Sequence, residues 1–232
     1  MKRTLVLFDI DGTILLTAGA GRRAITAALT EAVGSADAFS RIRFDGKTDP
    51  QIVRELLAAA GQHAEPAEAD VQALCDRYVT LLEAELRDAH STTTLMPGVA
   101  ALLERLEADE RVVLGLLTGN LARGAALKLR AAGLDPARFT VGAYGSDSGH
   151  RPALPPIAAE RAAPHFGRVP HGAEVVIIGD TPADIACGSS IEARAVAVAT
   201  GMYTVAELAA CRPHAVFADL SDTDAVLAAI HD

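Results

Sequence analysis

The chain lacks an excess of positive charge: across 232 residues, 21 Lys plus Arg stand against 30 Asp plus Glu, for a net charge of −9. No basic stripe is left to track a polyphosphate backbone, which argues against a nucleic-acid binder. Cysteine is scarce. Cys75, Cys187 and Cys211 stand far apart without a CxxC pair, so they read as small buried residues of a reducing compartment. No apolar run approaches the length of a membrane span. The stretch after Met1-Lys2-Arg3 is interrupted by Asp9 and Asp11 too early for a signal peptide. There are no repeats and no low-complexity tracts, and the expected setting is the cytoplasm. Hydrophobic residues make up 50%, and about a fifth of all positions are alanine. The chain therefore sits well above the disordered range while holding fewer large core side chains than the raw fraction implies.

Short apolar runs read as strands buried on both faces: Leu5–Phe8, Val112–Leu117, Phe139–Val141, Val175–Ile178, Ala195–Val198 and Ala215–Phe217. Helical stretches alternate with them. Val99–Leu106 opens on Pro97-Gly98, and Leu121–Ala132 stops at Gly133 before Asp135-Pro136 turns the chain. The pattern predicts an α/β fold with a parallel, Rossmann-like sheet. Residues 16–94 break the rhythm with consecutive helices and no convincing core strand. Val71, Leu74, Cys75, Tyr78 and Leu82 follow helical spacing, and Thr48-Asp49-Pro50-Gln51 offers a helix start. The expected organisation is a core formed by 1–15 and 95–232, with a helical cap of 16–94 inserted after the first strand. Ser146–Pro156 reads as a loop or turn.

The chemistry concentrates at strand ends. Asp9-Ile10-Asp11-Gly12-Thr13 follows the first apolar run directly, where parallel sheets carry their functional residues. Carboxylates spaced i, i+2 on one loop repel unless a cation sits beside them, and a divalent metal is the simplest candidate. Gly12 lets the backbone pass close to a ligand. A plain Asx turn would not require two acids followed by Gly-Thr. Gly179-Asp180-Thr181-Pro182-Ala183-Asp184 repeats the arrangement after Val175–Ile178. Pro182 starts a helix there, and Asp184 in its first turn stands near enough to hold a metal-bound water or the metal itself. The competing reading of this pair is helix capping by Asp180, with Asp184 favoured by the helix dipole. At the third strand end, Leu116-Leu117-Thr118-Gly119-Asn120 offers a hydroxyl and an amide to an anionic oxygen, or a simple N-cap.

Taken together, these motifs resemble the haloacid dehalogenase superfamily, in its phosphatase type and in a layout similar to phosphoglycolate phosphatase-like members with a helical cap. The resemblance covers essentially the whole chain. It implies Asp9 as nucleophile, Asp11 as general acid/base, and Thr118 bonded to the transferring phosphoryl oxygens. It further implies Mg²⁺ held by Asp9, the Asp11 main-chain carbonyl and Asp180, with Asp184 supporting. Gly12, Thr13, Gly119 and Asn120 would line the phosphoryl site. The family also places a cationic side chain, usually Lys before Pro, in the loop after the third core strand. Of the three lysines, Lys2 precedes the first strand, Lys47 belongs to the inserted segment and Lys128 falls within a helix. The matching position is Arg151, in Gly149-His150-Arg151-Pro152, whose guanidinium can supply the same charge in a bidentate manner.

A dehalogenase attacks carbon and has no comparable use for the second aspartate, so Asp11 selects phosphoryl chemistry. In the cap, Phe44-Asp45-Gly46-Lys47-Thr48-Asp49 is the segment expected to reach the site, with Lys47 placed to meet a second anionic group of the substrate. The expected partner is a small phosphorylated metabolite, with neither nucleic acid nor membrane, on a monomer or homodimer. A phosphomutase similar to β-phosphoglucomutase would use the same carboxylates. A non-catalytic regulator that keeps the fold is the other alternative, and a receiver domain fits poorly because it has no place for the helical insertion.

Overall fold

Central placement is what makes the first strand continuously apolar. In the computed structural model, which describes residues 3–35, 39–61, 66–88 and 92–232, β1 (Thr4–Phe8) lies between two parallel neighbours and is buried along its whole length. Val6 and Phe8 enter one hydrophobic cluster, and Leu5 and Leu7 enter another on the opposite face. Both faces are thus dry, and period-two polarity disappears. Lys2 lies outside the described residues.

The chain runs on through β2 (Leu15–Leu16), α1 (Ala20–Val33), α2 (Asp49–Ala59), α3 (Glu68–Arg87), β3 (Thr94–Leu95), α4 (Val99–Glu107), β4 (Val112–Thr118) and α5 (Ala122–Ala131). It continues with β5 (Val141–Tyr144), α6 (Leu154–Phe166), β6 (Val175–Gly179), α7 (Pro182–Cys187), β7 (Arg194–Val198), α8 (Val205–Ala210), β8 (Ala215–Phe217) and α9 (Thr223–His231). Six parallel strands form one sheet in the order β5-β4-β1-β6-β7-β8. From β1 the chain builds outward in both directions, so the strand order reverses beside it. A crevice opens at the carboxyl ends at such a switch point. This is the α/β fold with a Rossmann-like sheet expected from the strand pattern.

Helices α1, α2 and α3 are entered and left through the antiparallel pair β2–β3, in which Leu15 faces Leu95 and Leu16 faces Thr94. They have a hydrophobic cluster of their own, built on Leu29, Leu56, Tyr78 and Leu82 and joined from the core side by Leu121. On α3 the buried stripe is Val71, Cys75, Tyr78, Val79 and Leu82. Thr48 caps α2 by accepting from the Gln51 amide, with Pro50 in the first turn.

Three expectations shift. The strand expected at Phe139–Val141 begins only at Val141, because Asp135 caps a 3₁₀ turn over Pro136–Arg138 that ends on Phe139. The loop expected to extend to Pro156 already turns helical at Leu154, since prolines in a first turn remove only N–H groups that a helix leaves unpaired. Cys75 and Cys187 are buried and unpaired, whereas Cys211 is exposed. It ends α8, a short helix whose one buried residue is Leu208.

Candidate active site

Asp9 extends the ladder of β1 by one bond: its amide donates to the Ile178 carbonyl at 2.9 Å. The chain then turns back on itself, with the Ile10 carbonyl accepting from Thr13, Ile14 and Leu15. Gly12 takes φ 86 at this turn. A Cβ there would stand 2.4 Å from Asp180 Oδ2, so the position requires glycine for both conformation and space. Gly201, a residue with no motif to mark it, meets the other side of the same carboxylate, 1.8 Å from where its Cβ would lie. Thr13 is buried and donates its hydroxyl to Asp180 Oδ1 at 2.9 Å. It stands outside the cavity lining, so its hydroxyl orients an acid rather than facing a ligand.

One end of α7 organises the second acid pair. The helix cap is Thr181, not Asp180: Thr181 accepts from the Asp184 amide, and Asp184 Oδ2 accepts from the Thr181 amide at 3.0 Å and hydroxyl at 2.6 Å. Asp180 is thereby left free to face Asp9. Asp9, Asp180 and Asp184 are all buried, and each offers a carboxylate oxygen within 4.8 Å of the others'.

The charge balance of this cluster is its main physical feature. Burial pushes Asp9 up to about 6, with Arg151 opposing and Asp184 and Asp11 adding to the rise. Burial, then repulsion from Asp184 and Asp9, carries Asp180 up to about 8. Among the described residues, the guanidinium paired with these acids is that of Arg151, itself buried. It pairs with Asp184 and lies 3.2 Å from Asp9 Oδ1. Burial alone would lower the Arg151 pKa, and these two carboxylates more than reverse that. Three buried acids against one cation leave a charge deficit that a divalent, oxygen-seeking ion would fill, so the donor set fits Mg²⁺. Arg151 Nε, also buried, has no hydrogen-bond partner among the described residues. Arg151 lines the cavity, and this unspent buried donor is suited to an anionic oxygen.

The third strand end contributes a bonded network. Thr118 Oγ1 accepts from the Asn120 side chain at 2.7 Å and from its amide at 3.3 Å. Asn120 Nδ2 also donates to Asp11 Oδ2 at 2.8 Å. Lys128, set aside in the sequence as a helix position, is in fact part of the site. Its Nζ reaches both oxygens of Asp11 at 2.8 and 2.6 Å, and Asn120 Oδ1 at 2.6 Å. A signal existed: Ala125, Lys128 and Leu129 share the buried stripe of α5, and lysine on such a stripe needs a buried partner.

The helical segment covers this crevice. A Cβ on Gly119 would fall 2.0 Å from the Lys47 carbonyl oxygen. The Asp49 amide donates to the Gly119 carbonyl at 2.8 Å, and Asp49 Oδ2 accepts from the Leu121 amide at 2.9 Å. Thr48 donates to the Gly149 carbonyl and Tyr203 donates to Asp45, at 2.8 and 2.7 Å. Between the two parts lies a cavity of about 270 Å³. Its walls include Asp9, Asp11 and Gly12 from the first loop and Thr118, Gly119 and Asn120 from the second. Arg151 and Asp180 complete the core side, while Phe44 to Lys47 and Asp49 close the other. The Lys47 side chain is ion-paired with Glu55. Arg22 also lines the cavity, stacked 4.1 Å over the Phe44 ring.

A parallel sheet with three acid- or hydroxyl-bearing strand tips, closed by an inserted helical segment, defines a class of hydrolase. The haloacid dehalogenase-like hydrolase model matches residues 4–191, and the chain belongs to that family. The fold is shared with a hydrolase from Pseudomonas syringae, at TM-score 0.74 and 21% identity over 100% of both chains. It is shared also with a predicted phosphoglycolate phosphatase from Haemophilus somnus, at TM-score 0.71 and 19% identity over 98% and 99% of the two chains. A β-phosphoglucomutase from Clostridium difficile aligns at TM-score 0.72 and 15% identity over 99% of this chain and 97% of its own. A search of curated proteins found no match.

Proposed function

We propose that the protein is a Mg²⁺-dependent phosphatase of a small phosphorylated metabolite, working through an aspartyl phosphate on Asp9. The observation that carries this reading is the three-acid cluster with Arg151 beside it, whose Nε–H is unspent. Asp9, Asp180 and the Asp11 carbonyl would hold Mg²⁺, with Asp184 kept in support by Thr181 and Arg151. The ion supplies positive charge where two anions must meet.

Asp9 attacks phosphorus, and the ester P–O bond breaks as the Asp9–P bond forms. Asp11 delivers a proton to the departing oxygen. It then takes one from the water that attacks the aspartyl phosphate, which frees phosphate and restores Asp9. Arg151, Thr118 and the amides after Asp9 neutralise and orient the phosphoryl oxygens. The helices of 16–94 act as the cap that decides the leaving group, and a cavity of about 270 Å³ restricts it to a small one. A panel of phosphate esters assayed for phosphate release with Mg²⁺ tests the reading. Asp9→Asn is expected to reduce release by at least 10⁴-fold. Undiminished release by that variant overturns the scheme, and transfer to a second sugar hydroxyl without free phosphate would assign a mutase instead.

A further inference from the structure

Lys128 is placed against the grain of its own helix. Its Nζ stands 2.6 Å from the side chain of Asn120, which immediately precedes α5. The ammonium has therefore folded back two turns to the helix's amino end, where the dipole disfavours a cation. The stem is buried, and the side chain is only 5% exposed. Gly21 on α1 lies alongside the ammonium, and a Cβ there would make ordinary contact, 3.4 Å from Nζ and 3.6 Å from Cε. Burying an ammonium at a positive helix end is a poor way to stabilise a fold. All three Nζ bonds end on Asp11 and Asn120, and Asn120 in turn donates to Asp11 and Thr118.

Resting on the function proposed above, we infer that Lys128 is a positioning residue. Together with Asn120 it clamps the half-exposed Asp11 carboxylate in one orientation, so that Asp11 meets the leaving oxygen without a search. Lys128 touches neither phosphorus nor the leaving group in this role. Without the clamp, Asp11 would rotate into the cavity's solvent, and steps that need its proton would slow while phosphoryl binding by Arg151 and Thr118 would not.

Leaving-group acidity separates this role from a structural one. The test compares Lys128→Met with the wild type on the best alkyl phosphate of the panel and on 2,4-dinitrophenyl phosphate, whose leaving group departs without a proton. Expected is a loss in kcat/KM, which reads phosphoryl transfer to Asp9 and not the later attack of water, of at least 50-fold on the alkyl ester and less than fivefold on the dinitrophenyl ester, with inhibition by inorganic phosphate within threefold of the wild type. In an Asp11→Asn background, Lys128→Met is expected to change the rate less than twofold. Lys128→Gln, which keeps a donor and much of the volume, is expected to recover part of the alkyl-ester rate and serves if the Met variant does not fold. Equal losses of kcat/KM on both esters, or an unchanged kcat/KM on the alkyl ester, overturn the inference while leaving the phosphatase reading intact. A crystal structure of the variant gives an arm independent of turnover. Asp11 is expected to leave the Asn120 amide, and an unmoved Asp11 overturns the inference even if no ester is hydrolysed.

Discussion

Asp49 shows how one residue can serve two parts of the molecule. It sits in the first turn of α2, where a carboxylate is favoured, and its Oδ2 caps the amino end of α5 through Leu121. Burial nonetheless pushes it up to about 6, with Lys128 drawing it partway back. A raised carboxyl is protonated in the folded chain after it has ionised in the unfolded one. Stability on this account is complete below the ordinary value of 3.8 and is lost as pH climbs through 6, on the order of 3 kcal/mol. Asp49→Asn keeps an acceptor for Leu121 and removes the charge. The variant is expected to flatten the fall in unfolding free energy between pH 4 and 6.5, measured by urea titration; an unchanged slope would exclude Asp49 as its source. Residues of this kind divide sharply in legibility. Asp9, Asp11, Asp180 and Asp184 stand in short motifs at strand ends, and Arg151 keeps a proline beside it. Lys128 lies in no such motif and is tied to the site by a side chain that folds back two turns, which only its place on the apolar stripe of α5 betrays.

At the scale of elements, α2 approaches the tip of β4 closely. Gly119 and Lys47 touch through backbone atoms, so neither can yield by changing rotamer. Gly119→Ala must push the segment Phe44–Asp49 outward, at a cost of about 1–3 kcal/mol. The expected result is a loss of about tenfold or more in kcat/KM with the circular dichroism spectrum unchanged. Wild-type kinetics in this variant would show that the contact does not belong to the working state. The helix start at Thr48 and the stripe on α3 were readable, because capping and periodicity are local. The cap of α7 was half readable: Pro182 marked its first turn, yet Thr181 rather than Asp180 accepts from the helix, which leaves Asp180 free to face Asp9. The start of β5 was displaced for a similar reason. An Asx-type cap at Asp135 outcompeted strand pairing for Phe139.

For the whole molecule, part of an acidic excess of net charge −9 sits where it is hardest to bear, in the buried trio Asp9, Asp180 and Asp184. Asp9 at about 6 and Asp180 at about 8 are both raised. Their contribution is therefore greatest in acid and is lost as pH rises through those values, when the folded chain must hold charges that the unfolded chain carries in water. A divalent ion held by the ionised cluster, as proposed, would offset that loss. Mg²⁺ at one hundred times its Kd adds about 2.7 kcal/mol, or roughly 5–10 °C in Tm for a chain of this size. Thermal unfolding is expected to show a Mg²⁺ shift that is larger at pH 8 than at pH 6 and absent in Asp180→Asn. A shift equal at both pH values, or retained in that variant, would place the ion elsewhere.

By itself the sequence determined the parallel sheet, the inserted helices and the acids at the strand tips, because burial on both faces, helical periodicity and strand-end motifs are written in neighbouring residues. Tertiary structure alone decided which groups meet across the crevice: Lys128 with Asp11, Gly201 against Asp180, and Asp49 on the end of α5. Those contacts join residues from about twenty to more than a hundred positions apart, and they arise from how the sheet, its loops and the inserted helices pack together, which no local pattern records.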